Sequence, residues 1–160
     1  MGGRIFLAAL AVSKGISISS VTSLLDWKEF EHFTASAFEA MGFQTVSDVR
    51  FKLEKVRGQI DVVALKNCRI LTIDCKKWKR LSAIKNAARH HVKRSKMARE
   101  KLYGLAGCEC EKIKVFPIIV CISSEKKMTE GCYLVEITKL RSFIELLESG
   151  FFDNKGSLLF

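Results

Sequence analysis

Two short apolar runs, each interrupted by one aspartate, constrain this chain more than any other feature. Gly58-Gln59-Ile60-Asp61-Val62-Val63-Ala64-Leu65 and Arg69-Ile70-Leu71-Thr72-Ile73-Asp74-Cys75-Lys76-Lys77-Trp78 flank a short polar turn. They read as the two strands of a hairpin. A carboxylate inside such a strand is costly unless it is paired or bound to metal, so Asp61 and Asp74 are the residues to explain. Strand side chains alternate between faces. Asp74 and Lys76 therefore share one face, while Leu71, Ile73 and Cys75 take the other. Two strand-borne carboxylates with a lysine beside one of them can hold a divalent cation and a water in line with a phosphate. A purely structural Asp–Lys pair at a sheet edge is the plainer alternative.

The charge distribution narrows the partner. Of 27 Lys and Arg and 17 Asp and Glu, residues 76–101 hold eleven basic residues and one acid, Glu100. The remainder is neutral, with 16 of each sign, so the whole net charge of +10 follows directly after Asp74. A concentration of that kind points to a polyanion, nucleic acid ahead of an anionic membrane surface. At 160 residues with 48% hydrophobic content, the chain is long enough for a sizeable core. The six cysteines include no Cys-x-x-Cys pair, and Cys108-Glu109-Cys110 has no histidine at ligand spacing. Reduced thiols in a cytoplasmic protein are the expectation. Arg4 and the apolar Ile5–Val12 imitate a signal peptide but are too short to span a bilayer.

The remaining pattern gives an element order. Residues 1–25 read as a helical N-terminal extension of two short helices, residues 26–150 as the main domain, and 151–160 as an apolar tail. Asp26 and Glu29 form a capping box for a helix from Trp27 to about Met41, ended by Gly42. Its apolar face is Phe30, Phe33, Ala37, Phe38 and Met41. Glu31 borders that face, and on helical pattern alone it is a solvated glutamate. Residues 45–54 alternate as a half-buried strand, so a three-strand antiparallel meander follows the helix. Lys79 to about Leu105 reads as one long helix, apolar through Leu81, Ile84, Ala88, Val92 and Met97 and basic through Lys85, Arg89, Lys93, Lys96 and Arg99. Almost no acid interrupts the basic face, so phosphate contact explains it better than a salt-bridge ladder. His90 and His91 read as surface or half-buried histidines. The run 115–122 is a strand buried on both faces, 133–137 a further strand, and Thr138 caps a last helix closed by Gly150.

This order, helix, three strands, long helix, two strands, helix, resembles the PD-(D/E)xK nuclease superfamily. The likeness is greatest to Mrr-like restriction endonucleases and archaeal Holliday junction resolvases. Its carriers are Phe30-Glu31, Met41-Gly42-Phe43, Gly58-Gln59-Ile60-Asp61, Asp74-Cys75-Lys76 and Trp78. Ile60 stands where the name-giving proline would be, and Asp74 where Mrr-like members often have Gln. The resemblance implies an α/β, restriction-endonuclease-like core, with a central mixed sheet of about five strands flanked by helices.

For the site, the resemblance implies Asp61 and Asp74 as metal-binding acids, Lys76 as catalytic lysine, and Glu31 as the helix-borne glutamate that helps ligate metal or orient the lysine. The backbone carbonyl of Cys75 is a further candidate ligand. The implied cofactor is Mg²⁺, with Mn²⁺ able to substitute. Lys77, Lys79, Arg80, Lys85, Arg89, Lys93, Lys96 and Arg99 are the candidate DNA-binding residues. The expected activity is metal-dependent hydrolysis of DNA phosphodiester bonds, on plain, branched or modified DNA, by a homodimer with no membrane association. A non-catalytic nucleic-acid-binding module that retains the fold is the alternative.

Overall fold

Serine 17 opens the first well-defined helix, α1 (Ile18–Leu24), by accepting the Ser20 amide at 3.2 Å. The structure, a computed structural model, describes residues 10–12, 14–77, 81–107, 112–124, 127–152 and 158–159. Trp78, Lys79, Arg80, Cys108 and Cys110 lie outside the described residues, as do the side chains of Leu81 and Ser82. Helix α2 (Trp27–Ala40) has the expected capping box: Glu29 N donates to Asp26 Oδ1 and Asp26 N to Glu29 Oε2, both at 2.8 Å. A Schellman turn ends it, with Gly42 N on Glu39 O and Phe43 N on Phe38 O. Gly42 has φ +82°, which a side chain would resist, and the Phe43 and Phe38 rings meet edge-on at 5.5 Å.

The sheet contains β1 (Gln44–Leu53), β2 (Val56–Lys66), β3 (Arg69–Lys76), β4 (Lys114–Cys121), β5 (Met128–Thr129), β6 (Cys132–Glu136) and β7 (Leu158–Leu159). Its order is β1-β2-β3-β4-β6-β5, with β7 antiparallel to one end of β4. The first three strands form the expected antiparallel meander; β3, β4 and β6 run parallel. Two residues with positive φ, Asn67 and Cys68, turn β2 into β3, as a tight hairpin requires. Gly58 pairs with Phe51 across the β1–β2 ladder, where an added Cβ would meet the phenyl ring at 2.2 Å. The two-residue strands β5 and β7 are additional to the expected five. Pro117 sits inside β4, between the stretch paired with β7 and the stretch paired with β6. There its missing N–H interrupts neither ladder.

One face of the sheet packs under α1, α2 and α5 (Leu140–Glu148), through Phe30, Phe38, Leu71, Ile73, Cys75, Phe116, Phe143 and Leu147. The opposite face carries α3 (Leu81–Met97) and α4 (Arg99–Ala106). The single helix expected over 79–105 is thus two, bent at Ala98. The bend keeps its hydrogen bonds, Ala98 N to Arg94 O and Leu102 N to Ala98 O, both 2.9 Å. It lets the two helices serve different patches: Ile84 and Ala88 pack on Ile119 and Leu134, while Ala98 and Leu102 pack on Val63, Ile70 and Val115. The buried stripe is Ile84, Ala88, His91, Ser95 and Ala98. The expected stripe through Val92 and Met97 is only half-buried. His91 is fully buried, contrary to the surface or half-buried reading, because β3 supplies its hydrogen bond. Cys68 is disulfide-bonded, which corrects the expectation of six reduced thiols; Cys75, Cys121 and Cys132 are free and buried. Among the described residues, no helix is long and apolar enough to cross a membrane.

Candidate active site at the fork of β2 and β3

The β2–β3 ladder runs from Lys66↔Arg69 to Val62↔Ile73 and stops. One further step would set Asp61 opposite Asp74. Two carboxylates directly opposite each other repel, and this is where the strands part. On the other side of β2, pairing with β1 also skips Asp61. Ser47↔Val62 and Val49↔Ile60 are paired, and between them stands Asp48 with φ +55°. Below the skip, burial loses strict alternation: Ile60 and Val63 join one core patch and Val62 the other. Asp61 is therefore freed from both ladders. Its Oδ2 accepts the Cys75 amide at 2.9 Å, so the carboxylate caps the β3 donor that β2 no longer satisfies.

Asp74 is 2% exposed and holds two cations. Lys76 Nζ lies 3.1 Å from Oδ1 and 3.0 Å from Oδ2, and Arg94 Nη2 lies 3.0 Å from Oδ1. Only the Oδ1 contacts are directed as hydrogen bonds, which leaves Oδ2 a buried acceptor without one. Lys76 also faces the Trp27 ring, 5.9 Å from its centroid, and Trp27 is 46% exposed. Glu31 is mostly buried and pairs with Lys28 at 2.9 Å. Its charge reaches Asp61. Burial pushes the Asp61 carboxyl from 3.8 up to about 6; the Cys75 amide opposes that rise, the charges of Asp74 and Glu31 add to it, and Lys76 opposes it. The Cys75 thiol faces the apolar core on the other side, and burial raises its pKa. Only the main chain of Cys75 belongs to the site.

A buried polar seam supports Asp74 from α3. His91 Nε2 donates to Thr72 O at 2.8 Å, and burial holds the imidazole down to about 4. Ser95 Oγ donates to His91 O at 2.9 Å and meets Thr72 Oγ1 at 2.7 Å. Arg94 extends from the same helix to Asp74. The sequence reading missed Arg94, His91 and Ser95 as parts of the site. Their only sequence signal is polarity at positions 91 and 95 of the stripe that also contains Ile84, Ala88 and Ala98.

The basic residues divide. Lys93, Lys96 and Arg99 are exposed, and Arg99 lies over the Tyr103 ring. Lys85 and Arg89 face Glu130, at 3.5 and 3.4 Å. Glu130 comes from the β5–β6 turn, so the local sequence of the helix could not disclose it. Lys77 Nζ donates to the carbonyls of Ser23 and Leu25 and ties the end of α1 to β3. An apolar groove of about 750 Å³ beside β6 and α5 has Glu136 in its lining but neither Asp61 nor Asp74.

Among the described residues, no three His, Cys, Asp or Glu side chains are gathered as a metal cage. Mg²⁺ is commonly held by one or two carboxylates, with water and substrate phosphate completing its shell. Asp61, and Asp74 with an Oδ2 that takes an ion pair from Lys76 but no hydrogen bond, fit that smaller requirement.

No curated protein matches this chain. Its fold is similar to that of the protein of unknown function AF1548, with TM-score 0.52, 20% identity and 76% of this chain covered. The chain spans 65% of that protein's length, just under two thirds. The small subunit of the heterodimeric restriction endonuclease R.BspD6I aligns with TM-score 0.46 and 15% identity, over 93% of this chain and 79% of the subunit. The family model of the restriction endonuclease catalytic domain of Mrr type matches residues 22–106, which contain the helix with Glu31, both aspartates, Lys76 and Arg94. That match takes in more than half of the 160 residues, and the chain belongs to this restriction endonuclease family.

Proposed function

We propose that this nuclease-family chain is a metal-dependent DNA endonuclease that hydrolyses phosphodiester bonds. The observation that carries the reading is the fork itself. Two carboxylates stand one register step beyond the last β2–β3 pair, one capping a strand amide and the other carrying a lysine. A protein has little structural reason to set a buried and a half-buried carboxylate against each other there, since like charges at that position destabilise the sheet.

A bound Mg²⁺ would neutralise phosphate charge and acidify a water. Asp61 and Asp74 are the residues that would hold it. The Asp61 carboxyl, raised to about 6, is ionised at neutral pH and above, as a ligand must be. Lys76, partly exposed beside Asp74, can orient a water or meet charge developing on the phosphate. Lys93, Lys96 and Arg99 offer exposed positive charge along the flanking helices for the phosphate backbone, which gives salt-dependent and mostly sequence-independent affinity. A homodimer is part of the proposal, because cutting two strands calls for two sites. Branched DNA and modified duplex both suit this chemistry.

One observation favours the second reading, a binding module that retains the fold: Asp74 already carries two cations, and among the described residues no third acid completes a cage. Cleavage of supercoiled plasmid and of a four-way junction with Mg²⁺ or Mn²⁺ separates the two. In the nuclease reading, Asp74→Ala lowers the rate on the order of 10³-fold, and EDTA stops cutting while leaving binding intact. DNA binding without cleavage by wild type, indifferent to Asp74→Ala, would establish the binding module instead.

A further inference from the structure

We infer that Arg94 is a phosphate-contacting residue of this site, held on Asp74 until a divalent cation takes that carboxylate; the inference rests on the nuclease reading. Asp74 Oδ1 accepts from both Arg94 Nη2 and Lys76 Nζ, at 3.0 and 3.1 Å, so two cations crowd the carboxylate that a metal would need. A guanidinium has five donors in a planar fork, suited to a two-oxygen acceptor such as phosphate. In Arg94, Nη2 bonds Asp74, Nε is buried without a hydrogen-bond partner, and the side chain is 34% exposed. Donors thus remain for a second acceptor arriving from solvent.

The charge balance points the same way. Asp61, Asp74, Lys76 and Arg94 sum to zero. A divalent cation adds two positive charges, which one phosphodiester and one hydroxide cancel. If Arg94 served only to neutralise Asp74, it would be surplus once the cation took over that task. Its anchor is also fixed. His91 and Ser95, on the same helix, are hydrogen-bonded to β3 and to the helix backbone, which holds the Arg94 position against Asp74. The guanidinium needs only to swing from one oxygen acceptor to another.

The test pairs Mn²⁺ calorimetry without DNA with plasmid cleavage at saturating Mn²⁺, for wild type, Arg94→Ala and Arg94→Lys. The expected result is Mn²⁺ affinity in Arg94→Ala equal to or tighter than wild type, since a cation has left the ligand. With it should come a fall in kcat of about 100-fold and a partial recovery in Arg94→Lys, which keeps the charge and loses the fork. Weaker Mn²⁺ binding in Arg94→Ala, with cleavage restored by more Mn²⁺, would reduce Arg94 to a support for Asp74 and overturn the inference. So would an unchanged kcat. A wild type that binds Mn²⁺ yet cleaves neither plasmid nor junction would sink the nuclease reading itself, before either variant is compared.

Discussion

The two faces of the sheet are built on different principles. Under α1, α2 and α5 the core is one continuous cluster dominated by Phe, Leu, Ile and Val. Under α3 and α4 the apolar contacts form two smaller patches. Thr72, His91, Ser95 and Asp74, all buried and all polar, belong to that second face. The first face can tolerate shape-conserving exchange, because dispersion and burial are non-directional. The second depends on hydrogen bonds that have direction, and it leaves Asp74 Oδ2 and His91 Nδ1 without one, as Thr34 Oγ1 is left on the first face. The larger share of buried apolar surface lies on one face, and the buried polar groups beside the fork lie on the other.

Breaking the first face should have the largest effect on stability. Phe38 is completely buried between α2 and the sheet and closes the Schellman turn with Phe43. Phe38→Ala leaves a cavity the size of a ring in a packed cluster and should cost about 3–5 kcal/mol, read as a shift in the urea midpoint. A loss under 1 kcal/mol would mean that this face is not the main store of stability.

A change on the second face should run in the opposite direction. The Asp61 carboxyl is raised to about 6 in the fold, so its folded pKa exceeds the unfolded value of 3.8. Its favourable contribution is fully present below pH 3.8 and is lost as pH rises through about 6. Above that, holding the ionised carboxylate costs about 2–3 kcal/mol. Asp61→Asn keeps an acceptor for the Cys75 amide and removes the charge. Without metal, it should stabilise the protein by about 2 kcal/mol at pH 8 and by little at pH 4. Urea unfolding of both proteins at the two pH values checks this, and a gain that is the same at both would mean the charge is not the cause. His91 has the reverse sign: its pKa is lowered to about 4, so its contribution is present above pH 6.5 and lost as pH falls toward 4.

The same contrast accounts for what could be read in advance. The first face was legible because capping, helical spacing and strand alternation are local: Asp26, Glu29, Phe30, Phe38 and Gly42 each sit where the pattern put them. The fork was half legible. Asp61 and Asp74 stood out as charges in apolar strands, but the end of pairing between them depends on register, which no single strand contains. Arg94, His91 and Ser95 were hidden for another reason. Their partners Asp74 and Thr72 are about 20 residues away in sequence, and a polar residue on a helix looks solvated until the strand beneath it is known. Glu130, facing Lys85 and Arg89 from a distant turn, is the same case.

The smallest predicted effect is the sharpest probe of directionality on the second face. Ser95 Oγ donates to His91 O, so the hydroxyl of Thr72, 2.7 Å away, donates to Ser95. Ser95→Ala strands the Thr72 hydroxyl in a buried place and should cost about 1–2 kcal/mol. Thr72→Val alone removes that donor but leaves the Ser95 hydroxyl its bond to His91 O, and it should cost about 1 kcal/mol or less. In the double variant both hydroxyls are gone and the shapes are nearly kept, so the loss should fall below that of Ser95→Ala alone. Non-additivity of about 1 kcal/mol in urea unfolding is the expected outcome. Additive losses would mean that these two hydroxyls do not bond each other, and that α3 is held to β3 by the His91 and Arg94 bonds and by packing alone.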